Sequence, residues 1–212
     1  LSLFKFSGNG LAGMNMRVAG RGFPIGLPQP VWPFSTQSDS GIEMVYDFRD
    51  IKEIALLDTT TFVPQGGTPL LDTIGHAVTQ IGERLSALPE ALRPEKVVIV
   101  IITDGEENAS KTYTHEKIQQ MIKLQEDVYK WEFMYLGANQ DAIKEAAKFG
   151  LVATRSMGYG TTGQAIGGTY GVLNEKMSSY RSAKNSIDAK ASLNINAMDR
   201  AVAMGDANTI ST

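Results

Sequence analysis

The chain has 212 residues, 42% hydrophobic and 20% charged, which suits one globular domain with a full core, or one domain with a tail. A net charge of -3 gives no broad basic field for nucleic acid or anionic lipid, and no apolar run is long enough to span a bilayer. With no cysteine, disulfides and thiolate metal sites are excluded, and His76 and His115 alone are too few for a histidine metal cluster.

Residues 1–40 are rich in glycine and proline. Gly20, Gly22, Pro24, Gly26, Pro28, Pro30 and Pro33 stand close together, a density that blocks helix and central strand alike. From residue 41 the texture changes. "IEMVYDF" (42–48) is β-branched and aromatic and reads as a strand. Over 69–88, Leu70, Ile74, Val78, Ile81 and Leu85 recur at three and four, which predicts a helix with one apolar stripe; Pro69 suits its first turn. "KVVIVIIT" (96–103) is apolar on both faces, as a central parallel strand under helices must be.

The next helix is expected over 114–128, with Thr114 as its N-cap. "WEFMYLGA" (131–138) reads as another strand. A short helix follows over 141–150, ended by Gly150, and 151–155 suits an edge strand. The glycine-rich "GYGTTGQAIGGTYG" (158–171) lacks the lysine of a nucleotide-binding loop and reads as a surface loop. Residues 174–190 have weak helical periodicity, and the terminal "AMDRAVAMGDANTIST" is poor in large apolar groups. The stretch 156–212 is therefore expected as a glycine-rich loop, a weak helix and a polar arm ordered by neighbouring chains. Alternating strand and helix over 41–155 predicts an α/β fold: a doubly wound, mostly parallel sheet with helices on both faces.

In such sheets ligands sit beyond the carboxyl ends of the strands. Asp104 lies at that end of the 96–103 strand, followed by Gly105, which is free to turn sharply. "PQGGTPLLD" (64–72) brings a second loop to a helix start, with Thr68 at the junction. Two readings of Thr68 stand: a simple N-cap, or a hydroxyl offered to a metal or its water. Asp104 is either a turn-capping carboxylate or a site residue. Glu106 and Glu107 read as solvated loop charges.

Taken together and in order, "GGTPLLD", "IITDGEENAS", "WEFMYLGANQDA" and "AAKFGL" resemble the von Willebrand factor A domain, in particular its phage and bacterial branch. The resemblance covers residues 41–155. It implies a metal-ion-dependent adhesion site, where oxygen ligands hold Mg²⁺ or Mn²⁺ and an acidic side chain of a partner protein completes the coordination. Thr68 matches the family's threonine. Asp104 matches its aspartate, which reaches the cation through a water. The family's aspartate-x-serine-x-serine loop aligns with "KFSGN", so that Ser7 and Asn9 remain oxygen donors while Lys5 replaces the aspartate. An ammonium has no acceptor and repels a divalent cation, so the resemblance implies a degenerate site.

Two classes of function follow. The first is a non-enzymatic protein-binding module, a phage or prophage component that docks on other virion chains or on itself, located in the virion or the bacterial cytoplasm. The second is a metal-assisted hydrolase or phosphoryl-transfer enzyme built on Asp104. The second has little support in the sequence: neither motif contains a histidine, and no nucleophile stands beside a base.

Overall fold

A computed structural model describes residues 2–6, 13–19, 42–46, 48–53, 67–138 and 141–206; in 2–6, 13–19 and 43–46 the description is of the backbone. The chain is an α/β protein. Its strands are β1 (Ser2–Phe6), β2 (Gly13–Ala19), β3 (Ile42–Tyr46), β4 (Lys96–Thr103), β5 (Glu132–Ala138) and β6 (Ser156–Tyr159). Its helices are α1 (Leu70–Ser86), α2 (His115–Tyr129), α3 (Ala142–Lys148), α4 (Gly163–Ser182), α5 (Ser186–Ser192) and α6 (Ala197–Met204).

The six-stranded sheet runs β3-β1-β2-β4-β5-β6. Its β4-β5-β6 half is parallel, as crossovers through α2 and α3 require. The other half joins by antiparallel pairs: β2 lies against β4, β1 against β2, and β3 against β1. Two successive reversals make β1 run in the same direction as β4. Lys5 stands opposite Gly13, and Gly13 opposite Ile102, so β1 ends at the same sheet edge as β4. One intervening strand separates them by about 10 Å.

β4 explains the layering. Val97, Ile99 and Ile101 enter a core with Leu70, Ile74, Val78 and Ile81 of α1, Ile118 and Ile122 of α2, and Phe149. Val98, Val100 and Ile102 enter a second core with Val172, Leu173, Met177 and Tyr180 of α4, and with Ala189, Leu193, Ile195 and Ala203. One strand thus supplies both cores, which is why its sequence shows no polar alternation. The α1 stripe expected at three-and-four spacing is buried throughout. Thr114 caps α2, its hydroxyl accepting the Lys117 N–H. Gly150, at φ +79°, takes the left-handed turn after α3.

Beyond residue 150 the sequence reading needs correction. Residues 153–155 form a 3-10 turn, and the edge strand begins at Ser156. The glycine-rich stretch is mostly helix: Thr162 caps α4 through the Ala165 N–H, and the helix runs to Ser182. Residues 183–206 are not an arm awaiting neighbours. They carry α5 and α6, which close the second core on the chain's own sheet. Alanine and glycine, poor signals of burial by size, here allow helices to approach closely. At Gly168 a Cβ would fall 2.5 Å from the Val202 carbonyl oxygen. Lys176 and Asp199 add a buried ion pair at 2.7 Å between α4 and α6. Among the described residues no helix is long and apolar enough to cross a membrane.

Candidate functional site

The loop after β4 and the start of α1 meet at the carboxyl edge of the sheet. Thr68 is buried and Asp104 half-buried. A Cβ built on Gly105 would fall 2.7 Å from Thr68 Oγ1, so the threonine hydroxyl packs directly on the backbone that follows Asp104. The contact requires glycine at 105. Gly67 is equally constrained, since a Cβ there would lie 2.8 Å from both the Ala109 Cβ and Asn108 Oδ1.

Asn108 joins the two loops from both sides. The Thr68 N–H donates to Asn108 Oδ1 at 2.7 Å, and the Asn108 N–H donates to the Thr68 carbonyl at 3.2 Å. Next to it, the β4 loop caps the amino end of α1. Glu107 Oε2 accepts the Leu71 N–H at 2.8 Å, and Ser110 Oγ accepts the Asp72 N–H at 3.0 Å. Glu107 also accepts the Ala109 and Ser110 N–H groups and the Ser110 hydroxyl. Its negative charge sits at the positive end of the α1 dipole. Glu107 is therefore a capping group rather than a solvated loop charge. Thr68 is not the side-chain cap either: the cap position falls on Pro69, which has no side-chain cap bond. The Thr68 hydroxyl is left to face Gly105.

The connection is reciprocal. Asp72, buried in the first turn of α1, accepts three N–H groups of the outgoing loop, from Lys111 at 2.8 Å, Thr112 at 2.9 Å and Tyr113 at 2.8 Å. Burial pushes its carboxyl up, but the three donors outweigh burial and hold its pKa below the ordinary aspartate value. Farther on, the Tyr113 ring crosses α1 where Gly75 lacks a side chain; a Cβ there would lie 2.6 Å from the ring.

On the other side of β4, the Tyr159 hydroxyl donates to the Thr103 carbonyl at 3.4 Å. Burial, together with the nearby Asp104 carboxylate, raises the Tyr159 pKa, so the ring stays neutral. A hollow lined by Ile102, Tyr159, Ile166, Thr169 and Tyr170 leaves about 10 Å³ of free volume, room for about one water.

Of the expected site residues, then, the fold packs Thr68 on the backbone that follows Asp104, and adds Asn108, Glu107, Ser110 and Asp72 as supports of the two loops. Ser7 and Asn9 lie outside the described residues, as does the side chain of Lys5. The donor set can be judged for a hard cation. Thr68 and Asp104 are oxygen donors of the right kind but carry one formal charge between them. No group of three or more His, Asp or Glu that could hold a metal occurs among the described residues. These residues by themselves do not fit a tightly held Mg²⁺ or Mn²⁺. No family model, no curated protein and no solved structure matches the chain. What fold and site define is an α/β protein with a braced loop pair at the carboxyl edge of its sheet.

The close approach itself is testable. Gly105→Ala puts a methyl 2.7 Å from Thr68 Oγ1. The expected loss is about 1–3 kcal/mol in urea unfolding, with the slope of the transition unchanged. An unaltered midpoint would mean that the two loops are not in contact.

Proposed function

We propose that the chain is a non-enzymatic protein–protein interaction module of the von Willebrand factor A kind, a phage or prophage protein that docks on other virion chains through the carboxyl edge of its sheet. Its place is then the virion or the bacterial cytoplasm. The observation that carries the reading is the packing of the Thr68 hydroxyl on the Asp104-Gly105 turn. The loop pair is braced by hydrogen bonds before any partner arrives, so little ordering entropy is lost on docking. The site is metal-poor: docking uses the shape and polar groups of the loops rather than a bridging cation.

The test is a Mg²⁺ and Mn²⁺ titration of the purified chain by calorimetry, with Asp104→Ala as control, and an assay on generic phosphoesters with each metal. The expected dissociation constant is about 10⁻³ M or weaker, unchanged by the substitution, with no turnover. Tight binding abolished by Asp104→Ala would refute the metal-poor site. Metal-dependent turnover lost in the same variant would favour the hydrolase reading.

A further inference from the structure

The outer strand of the sheet, β6, is closed by the chain's own α6. Among the described strands β6 pairs only with β5. Backbone groups alternate along a strand, so Ser156 and Gly158 of β6, and Gly160 just past its end, present theirs to the outer side. The segment 195–203 takes two of these groups, and two more from the 3-10 turn just before the strand. The Ile195 N–H donates to the Thr154 carbonyl at 2.7 Å, and the Gly160 N–H donates to the Ala203 carbonyl at 3.0 Å. Between them the Arg200 guanidinium donates to the carbonyls of Ser156 at 2.5 Å and Ala153 at 2.8 Å.

An open strand edge is a template for another strand, and proteins blunt such edges with charge, proline or a bulge. "SMGY" (156–159) contains neither charge nor proline. The blunting comes instead from residues some forty positions later. Their seat is built for them: Gly168 and Gly160 have no side chain where the backbone of Val202 and Met204 passes. Asp199 fixes the start of α6 through a capping box with Asn196 and is itself held by Lys176.

We infer that Ile195–Gly205 is an edge guard, which keeps β6 closed against a second copy of this chain. The occupant follows from the strand itself. Two uncharged β6 strands can pair antiparallel across a twofold axis with no like charges brought together, and a self-complementary patch is what such an axis needs. With the guard displaced, the sheet of one copy continues into the sheet of the other.

The experiment uses the full chain with two independent displacing substitutions. Gly168→Val forces α6 off α4, because a Cβ there meets the Val202 carbonyl. Arg200→Glu sets a carboxylate against the carbonyls that now accept from the guanidinium. Neither touches Thr68 or Asp104, so the outcome is independent of the docking site proposed above. In both variants, backbone amides of 195–205 should lose hydrogen-exchange protection. Sedimentation should show concentration-dependent dimer beyond that of the parent chain. Adding Gly158→Pro, which removes an outward N–H, should reverse the dimer and leave the exposed amides exposed. A guard that stays protected in both variants, or one that opens without association, or association indifferent to Gly158→Pro, overturns the inference.

Discussion

Replacing Ile99 by aspartate should remove much of the stability of the fold. Ile99 lies at the middle of β4, fully buried, between β2 and β5, and packs into the core under α1 and α2. The described side chains it packs among in that core are apolar and offer a carboxylate neither counter-charge nor hydrogen bond. Burying an unpaired charge costs more than about 4 kcal/mol, a large part of the roughly 5–15 kcal/mol that holds a domain of this size together. Circular dichroism should show loss of the cooperative transition, and the protein should partition into the insoluble fraction. Ile99→Val is the control: it removes one methylene and should cost about 1 kcal/mol, leaving a folded chain with a slightly lower midpoint. A soluble, cooperatively folding aspartate variant would show that β4 is not the shared wall of both cores.

That strand was legible in the sequence because burial on both faces leaves a distinctive pattern, a run with no polar interruption. The α1 stripe was legible for a related reason, since large apolar side chains repeat with the helical period. The first half of α4 carries Gly163, Gly167, Gly168 and Gly171, which lower helix propensity and make it read as a loop, while its second half falls within the weak helical periodicity of 174–190. The period was there. Ala165, Thr169, Val172, Leu173, Lys176, Met177 and Tyr180 all lie on the buried face. Gly168 is where α6 passes, so the glycine that argues against a helix locally is required by tertiary packing. α6 was missed on composition. Small residues bury little area each, but they let two helices approach closely and so contribute through contact rather than size.

The candidate site was legible in outline, its supports were not. Strand-end topology brings Thr68 and Asp104 to one edge. The capping of α1 by Glu107 and Ser110 joins residues 36 and 38 positions apart. Local capping rules look for a partner two or three residues away, so they offered Thr68 as the cap. The antiparallel joining of β2 to β4 had no signal either, because the glycine and proline crowded over 20–33 argue against a central strand in this part of the chain.

Asp72 carries the second large effect. The folded-state carboxyl has a depressed pKa: burial raises it, and the N–H groups of Lys111, Thr112 and Tyr113 lower it by more. Its stabilisation is therefore fully present above the unfolded aspartate pKa, about 4, and is lost as pH falls through the lower folded value. Asp72→Asn keeps the size but replaces one oxygen by an NH₂ group, which faces N–H donors. The three charge-assisted bonds become at best two neutral ones, to Thr112 and Tyr113, with the NH₂ group set against the Lys111 N–H, so the expected loss at pH 7 is about 3 kcal/mol. The difference between parent and variant should shrink steadily below about pH 4, because the protonated parent then resembles the amide. Urea unfolding of both chains at a series of pH values measures this directly. The same substitution releases the loop that Glu107 and Asn108 tie to α1. Hydrogen exchange at 105–113 should therefore accelerate in the variant at neutral pH, ahead of exchange in β4. A pH-independent difference between the two chains would mean that the Asp72 charge does not hold the loop.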